Sequence, residues 1–108
     1  MENQKISDIC VVYCTTPRDH SAKIAHEILK RRLVACVNIT QVRSLYRWEG
    51  EICDEEEDLL IIKTRLPLAD DLIAAIRDIH PYEVPEVIAF PVIHGYQGYL
   101  NWVMDETR

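Results

Sequence analysis

The sequence of 108 residues predicts an α+β fold: a ferredoxin-like sandwich in which a four-stranded antiparallel sheet, in the order 4-1-3-2, carries helices on one face. Three observations point to it. Segments of strand and helix character follow one another as β-α-β-β-α-β-α, which contains the split βαβ repeat of that sandwich. The apolar fraction of 48%, with only 3 glycines and 5 prolines, is that of one ordinary globular domain. The two middle strands are separated only by Glu49-Gly50-Glu51, so they read as an antiparallel hairpin.

The first strand is expected over residues 6–13, where Ile-Ser-Asp-Ile-Cys-Val-Val-Tyr supplies β-branched and aromatic side chains, and Thr15-Thr16-Pro17 closes it. Asp19 can cap the helix that follows. In that helix Ala22, Ala25, Ile28 and Leu29 recur three or four apart, opposite Lys23, Glu27, Lys30 and Arg31. Residues 35–39 and 42–49 read as one long second strand, open to an interruption, with Ser44, Tyr46 and Trp48 on one face and Arg43, Leu45 and Arg47 on the other. Residues 58–63 form a third strand, apolar on both faces and therefore central.

A second helix is expected over 68–79 with Leu72, Ile73, Ile76 and Ile79 as its stripe. It must end by His80, because Pro81 disfavours helical geometry in the residue before it. The fourth strand, 84–93, contains Pro85 and Pro91, neither able to donate to a ladder, and so belongs at an edge. A short helix over 97–106, with Tyr99, Leu100, Trp102 and Val103, closes the chain.

The second strand would reach roughly 50 Å against roughly 26 Å for the first, so the hairpin should overhang its own domain. Its edge carries no proline, and its unpaired backbone groups are open to another copy. A closed homo-oligomer joined through the 35–63 hairpin follows. A formal charge of -6 argues against a nucleic-acid partner. No apolar run approaches the roughly 20 residues of a membrane span, and residues 1–5 lack the apolar stretch of a signal peptide, so a cytoplasmic location and a flexible start are expected. Cys10, Cys14, Cys36 and Cys53 contain no CxxC pair and read as free thiols or ligands.

The motifs Leu33-Val-Ala-Cys-Val-Asn-Ile39, Ser44-Leu-Tyr-Arg-Trp-Glu-Gly50, Lys63-Thr64, His80-Pro-Tyr-Glu-Val-Pro-Glu86 and Tyr99-Leu-Asn-Trp102 closely resemble the CutA divalent-cation tolerance family. The resemblance runs in register from Ile6 onward, and 1–108 reads as a single domain. It implies a ferredoxin-like homotrimer, cytoplasmic in bacteria, similar in architecture to PII-like signal proteins and linked to copper tolerance. One departure is that Thr40-Gln41 stands where many members carry Pro-Gly.

By motif the resemblance carries over three metal ligands, Cys14, Cys36 and His80, a set that suits copper or zinc better than magnesium or calcium. Each also has a plainer role, a buried thiol as a small apolar side chain or an imidazole at a helix C-terminus. The first and second strands run parallel to each other, so Cys14 and Cys36 should sit at opposite ends of one subunit, with His80 on the Cys14 side. A copper ion or another divalent cation is therefore expected, with no organic cofactor, and a neighbouring subunit would have to complete any three-ligand site.

The second candidate is a cleft between subunits lined by Tyr82 and Glu86 with Lys63 and Trp48, holding a small polar molecule or anion as PII-like trimers do. Against it stands a structural reading in which Pro81 and Pro85 stiffen a connection and Tyr82 packs beneath it. The acidic run Glu49, Glu51, Asp54, Glu55, Glu56, Glu57 and Asp58 lacks the EF-hand spacing and reads as solvated hairpin charge. No Walker loop, GxGxxG, GxSxG or HExxH occurs, which argues against an enzyme. Arg18 alone resembles the anion-holding arginine of an acylphosphatase on this fold.

Overall fold

The structure is a computed structural model that describes residues 7–108. The expected flexible start at 1–5 lies outside them. The elements are β1 (Ile9–Thr16), α1 (Ser21–Lys30), β2 (Cys36–Trp48), β3 (Glu51–Arg65), α2 (Ala69–Ile79), β4 (Val87–Pro91) and α3 (Gln97–Glu106), with a turn of 3-10 helix at Leu66–Leu68 ahead of α2. All pairings are antiparallel and the sheet order is β2-β3-β1-β4, the expected 4-1-3-2.

Alternation along the central strands builds the core. Cys10, Val12 and Cys14 of β1 and Leu60, Ile62 and Thr64 of β3 are fully buried. The apolar members of this set meet Ile24 and Ile28 of α1 and Leu72, Ala75 and Ile76 of α2. β1 starts and stops three residues later than expected, because Thr15 and Thr16 still pair with Leu59 and Asp58 and only Pro17 lacks the N–H to continue.

The stripe of α1 is also rotated from the expected one. Ser21, Ile24, Ala25 and Ile28 face inward, while Ala22 and Leu29 are exposed. The cause is polar: the Ser21 hydroxyl donates to the Asp58 carboxylate at 2.5 Å and turns that edge of the helix to the sheet. Asp19 does not cap. His20 occupies the cap position without a side-chain bond, and the Asp19 carboxylate instead meets the His20 ring at 3.0 Å.

α3 lies apart from α1 and α2. Its Leu100 and Val103 pack on Ile9, whose side chain alternates against Cys10 and so projects from the other face of the sheet. Thr107 and Arg108 then anchor the end of the chain, accepting hydrogen bonds from the Arg65 guanidinium. Tyr99 and Trp102 stay about two-fifths exposed and lie against each other with ring centroids 5.6 Å apart.

The hairpin overhangs as expected. β3 runs from Glu51 rather than from Asp58, and β2 is continuous through Thr40-Gln41. β1 ends opposite Asp58, so Val42–Trp48 and Glu51–Glu57 pair only with each other, a two-stranded ribbon roughly 23 Å long. Glu49 and Gly50 both have left-handed φ, 49° and 81°, the geometry that lets a two-residue turn follow the twist of its strands. The ribbon stretches the molecule to 51 × 33 × 22 Å, and the radius of gyration of 15.1 Å exceeds the roughly 13 Å of a compact chain this long. β4 is shorter than expected, five residues that leave Pro85 outside, and is an edge strand ending at Pro91. Among the described residues no helix is long and apolar enough to cross a membrane.

Candidate functional site

Two places hold the chemistry, and both lie where β1 ends. His80 caps α2 in extended geometry and is turned inward, with 8% of its surface exposed. Its Nε2 lies 2.8 Å from the Thr15 carbonyl, which can only accept, so Nε2 carries the proton. Nδ1 accepts the Tyr82 backbone N–H at 3.1 Å. Both ring nitrogens are thus engaged in the neutral tautomer, and burial holds the imidazole below its ordinary pKa against the opposing pull of the Thr15 bond and Glu57.

The sign of the pH dependence follows. Above about 6.5 the ring is neutral folded or unfolded; below it the unfolded chain takes a proton that the folded ring resists. Stability of chelator-treated protein should fall as pH drops through 6.5, with a slope no steeper than the one-proton limit of about 1.4 kcal/mol per pH unit, and level off below the folded pKa. His80→Gln should flatten that part of a denaturation profile.

The three expected metal ligands do not meet in one protomer. Cys14 pairs with Leu60 and Cys36 with Lys63, three rungs apart along β3 and on two strands either side of it, roughly 14 Å in all. They also leave opposite faces, Cys14 into the helix-side core and Cys36 toward Tyr99. Metal–sulfur bonds of about 2.3 Å cannot span that distance. Burial, with Glu86 and Glu57 nearby, pushes the Cys14 thiol up to about 12. Cys36 is half-buried, with its sulfur 3.8 Å from the Asn38 side-chain oxygen. Among the described residues no three His, Cys, Asp or Glu side chains are grouped to hold one ion.

The second place is an open cleft of about 790 Å³ between the ribbon, along Arg43 to Trp48, and the 81–86 segment. Trp48, Tyr82 and Glu86 of the expected set line it together with Thr15, Tyr46 and Glu57. Lys63 does not: it pairs with Val11 at the far end of the sheet and donates to Asn38. The Tyr82 hydroxyl donates to Glu57 at 2.6 Å, and the Thr15 hydroxyl reaches Glu86 at 3.4 Å. Burial and the Glu57 carboxylate both push the Tyr82 phenol up.

Glu57 and Asp58 correct the reading of the acidic run as solvated charge. They are 4% and 7% exposed, on opposite faces at the last rungs before the sheet gives way to the ribbon. Asp58 anchors α1 through Ser21, and Glu57 faces the cleft. The rest of the run is exposed or half-exposed, with Asp54 bound to the Arg43 fork at 2.7 and 2.9 Å. Arg18 turns to Glu56 at 3.5 Å and Asp58 at 3.9 Å, so its guanidinium already faces carboxylates.

Comparison with known proteins agrees with this architecture. A rice CutA1 crystal structure superposes with a TM-score of 0.91 at 42% identity, covering 95% of this chain and 96% of that one. A PII-like protein CutA from Nostoc superposes at 0.88 with 33% identity, covering 92% and 97%. The divalent-cation tolerance protein CutA of Pyrococcus horikoshii is 40% identical over 91% of this chain and 97% of its own length. The chloroplastic protein CutA of Arabidopsis thaliana is 43% identical over 99% of this chain. This chain spans about 60% of the length of that plant relative and 57–58% of its human and mouse counterparts. Residues 10–106 match the family model described as CutA1 divalent ion tolerance protein, and the chain belongs to that family.

Proposed function

We propose that this chain is a cytoplasmic, non-enzymatic homotrimer that serves in the response to divalent metal ions and binds copper or another divalent cation. Family membership over residues 10–106 carries the metal-ion reading. The ribbon supports assembly: two strands alone are marginal in water, and Leu45, Tyr46, Trp48 and Ile52 are 39–72% exposed on it. Free cysteines suit a reducing compartment. Assembly also bears on the ligand set of Cys14, Cys36 and His80, since only a second copy can bring a donor to Cys36. Of the three, Cys36 has the reachable sulfur, whereas Cys14 must lose a tightly held proton and His80 must release a hydrogen bond.

Equilibrium copper titration of the wild type beside Cys14→Ala, Cys36→Ala and His80→Ala tests the assignment. Cys36→Ala is expected to weaken binding most. Four identical isotherms would remove the ligand set.

A second reading rests on the cleft, which gathers Trp48, Tyr82 and Glu86 and gives the chain a place for a small polar molecule, in the manner of a PII-like signalling or scaffolding trimer.

A further inference from the structure

We propose that the cleft takes a small organic cation bearing N–H donors, a primary ammonium or a guanidinium, and not the anion that a lysine-lined cleft would select. The proposal rests on the reading of the cleft as a ligand site and names its ligand class. Its centre is Glu57, a carboxylate 4% exposed, which among the described residues accepts one side-chain hydrogen bond, from the Tyr82 hydroxyl. Among the described residues no Lys, Arg or His forms an ion pair with it. The bond from Tyr82 occupies one oxygen of Glu57, and because no buried side-chain oxygen among the described residues lacks a partner, the other is open to the cleft, where a cation with N–H groups can bind it.

The rest of the cleft has the same polarity. Glu83 and Glu86 add two carboxylates, and the lining's one cation, Arg43, is spent on Asp54 in a two-pronged bond. Tyr46, Trp48 and Tyr82 supply aromatic surface, which attracts cations through the negative faces of the rings. Burial first and then the Glu57 carboxylate push the Tyr82 phenol up, and the hydrogen bond to Glu55 does so for Tyr46. A bare metal ion fits less well: no three ligating side chains converge among the described residues, whereas an extended amine reaches separated carboxylates one N–H at a time. A volume of about 790 Å³ is ample for a polyamine.

The test is calorimetric titration of the full chain, with chelator present, using spermidine and separately ATP. One spermidine per chain is expected. Glu57→Gln keeps an oxygen for Tyr82 while removing the charge, and it and the exposed Glu86→Gln should each weaken binding roughly tenfold or more. Asp70→Asn, an equal loss of charge on α2, should leave binding unchanged. Several equivalents bound regardless of Glu57→Gln would mean condensation on an acidic surface and overturn the proposal. ATP binding without spermidine binding would overturn it while preserving the cleft as a ligand site; binding of neither would remove both. If wild type ignores spermidine and Glu57→Gln loosens the oligomer, the cation belongs to a second copy and the free ligand is excluded.

Discussion

A chain carrying Leu45→Asp and Ile52→Asp is expected to sediment as a 12.6 kDa particle at micromolar concentration, where the unsubstituted protein is expected to sediment as the proposed trimer. The two side chains are diagonal neighbours on one face of the ribbon and are 63% and 72% exposed in the protomer. Neither touches the core, so folding of the protomer should survive. Burial of such side chains contributes about 1.5–3 kcal/mol each, and every protomer would lose both while placing charges at the contact. Circular dichroism will show whether the sheet persists. A variant that remains trimeric would mean that this face of the ribbon is not the interface.

Alkylation will separate the cysteines by the same margin that separates them chemically. The folded Cys14 thiol, at about 12 against an ordinary 9.0, presents about a thousandfold less thiolate near pH 8, before its full burial is counted. Cys36 should react with iodoacetamide first, and Cys14 only after denaturation, as read by mass spectrometry of timed samples. Equal labelling of the two in the folded protein would contradict the buried placement. The consequence reaches the metal reading: any copper held by Cys14 must displace that proton, so its affinity should rise steeply with pH.

The architecture was legible because it rests on repeating patterns. The unbroken apolar run within residues 58–63 marked the central strand, Pro91 marked an edge, and the spacing of Leu72 and Ile76 marked the helix that packs on the sheet. What escaped were single polar contacts that decide phase and burial. Nothing near Ser21 or Asp58 in sequence says that they will meet, 37 residues apart, yet their bond sets which side of α1 is inside. Glu57 sat within a run of acids that reads as surface, and only the end of β1 opposite Asp58 and the arrival of Tyr82 bury it. Lys63 was grouped with Trp48 by motif, but a strand separates what a motif joins: they stand at opposite ends of the hairpin.

The boundary at Asp58 also makes the reach of the arm independent of the fold it leaves. No core residue of the described chain lies between Val42 and Glu51, so two residues inserted into each strand would move the tip outward by roughly 7 Å and keep every side chain on its side. One residue inserted into each would exchange the sides and spoil the fit. Arm length can therefore diverge among descendants in steps of two while the body of the molecule stays as it is.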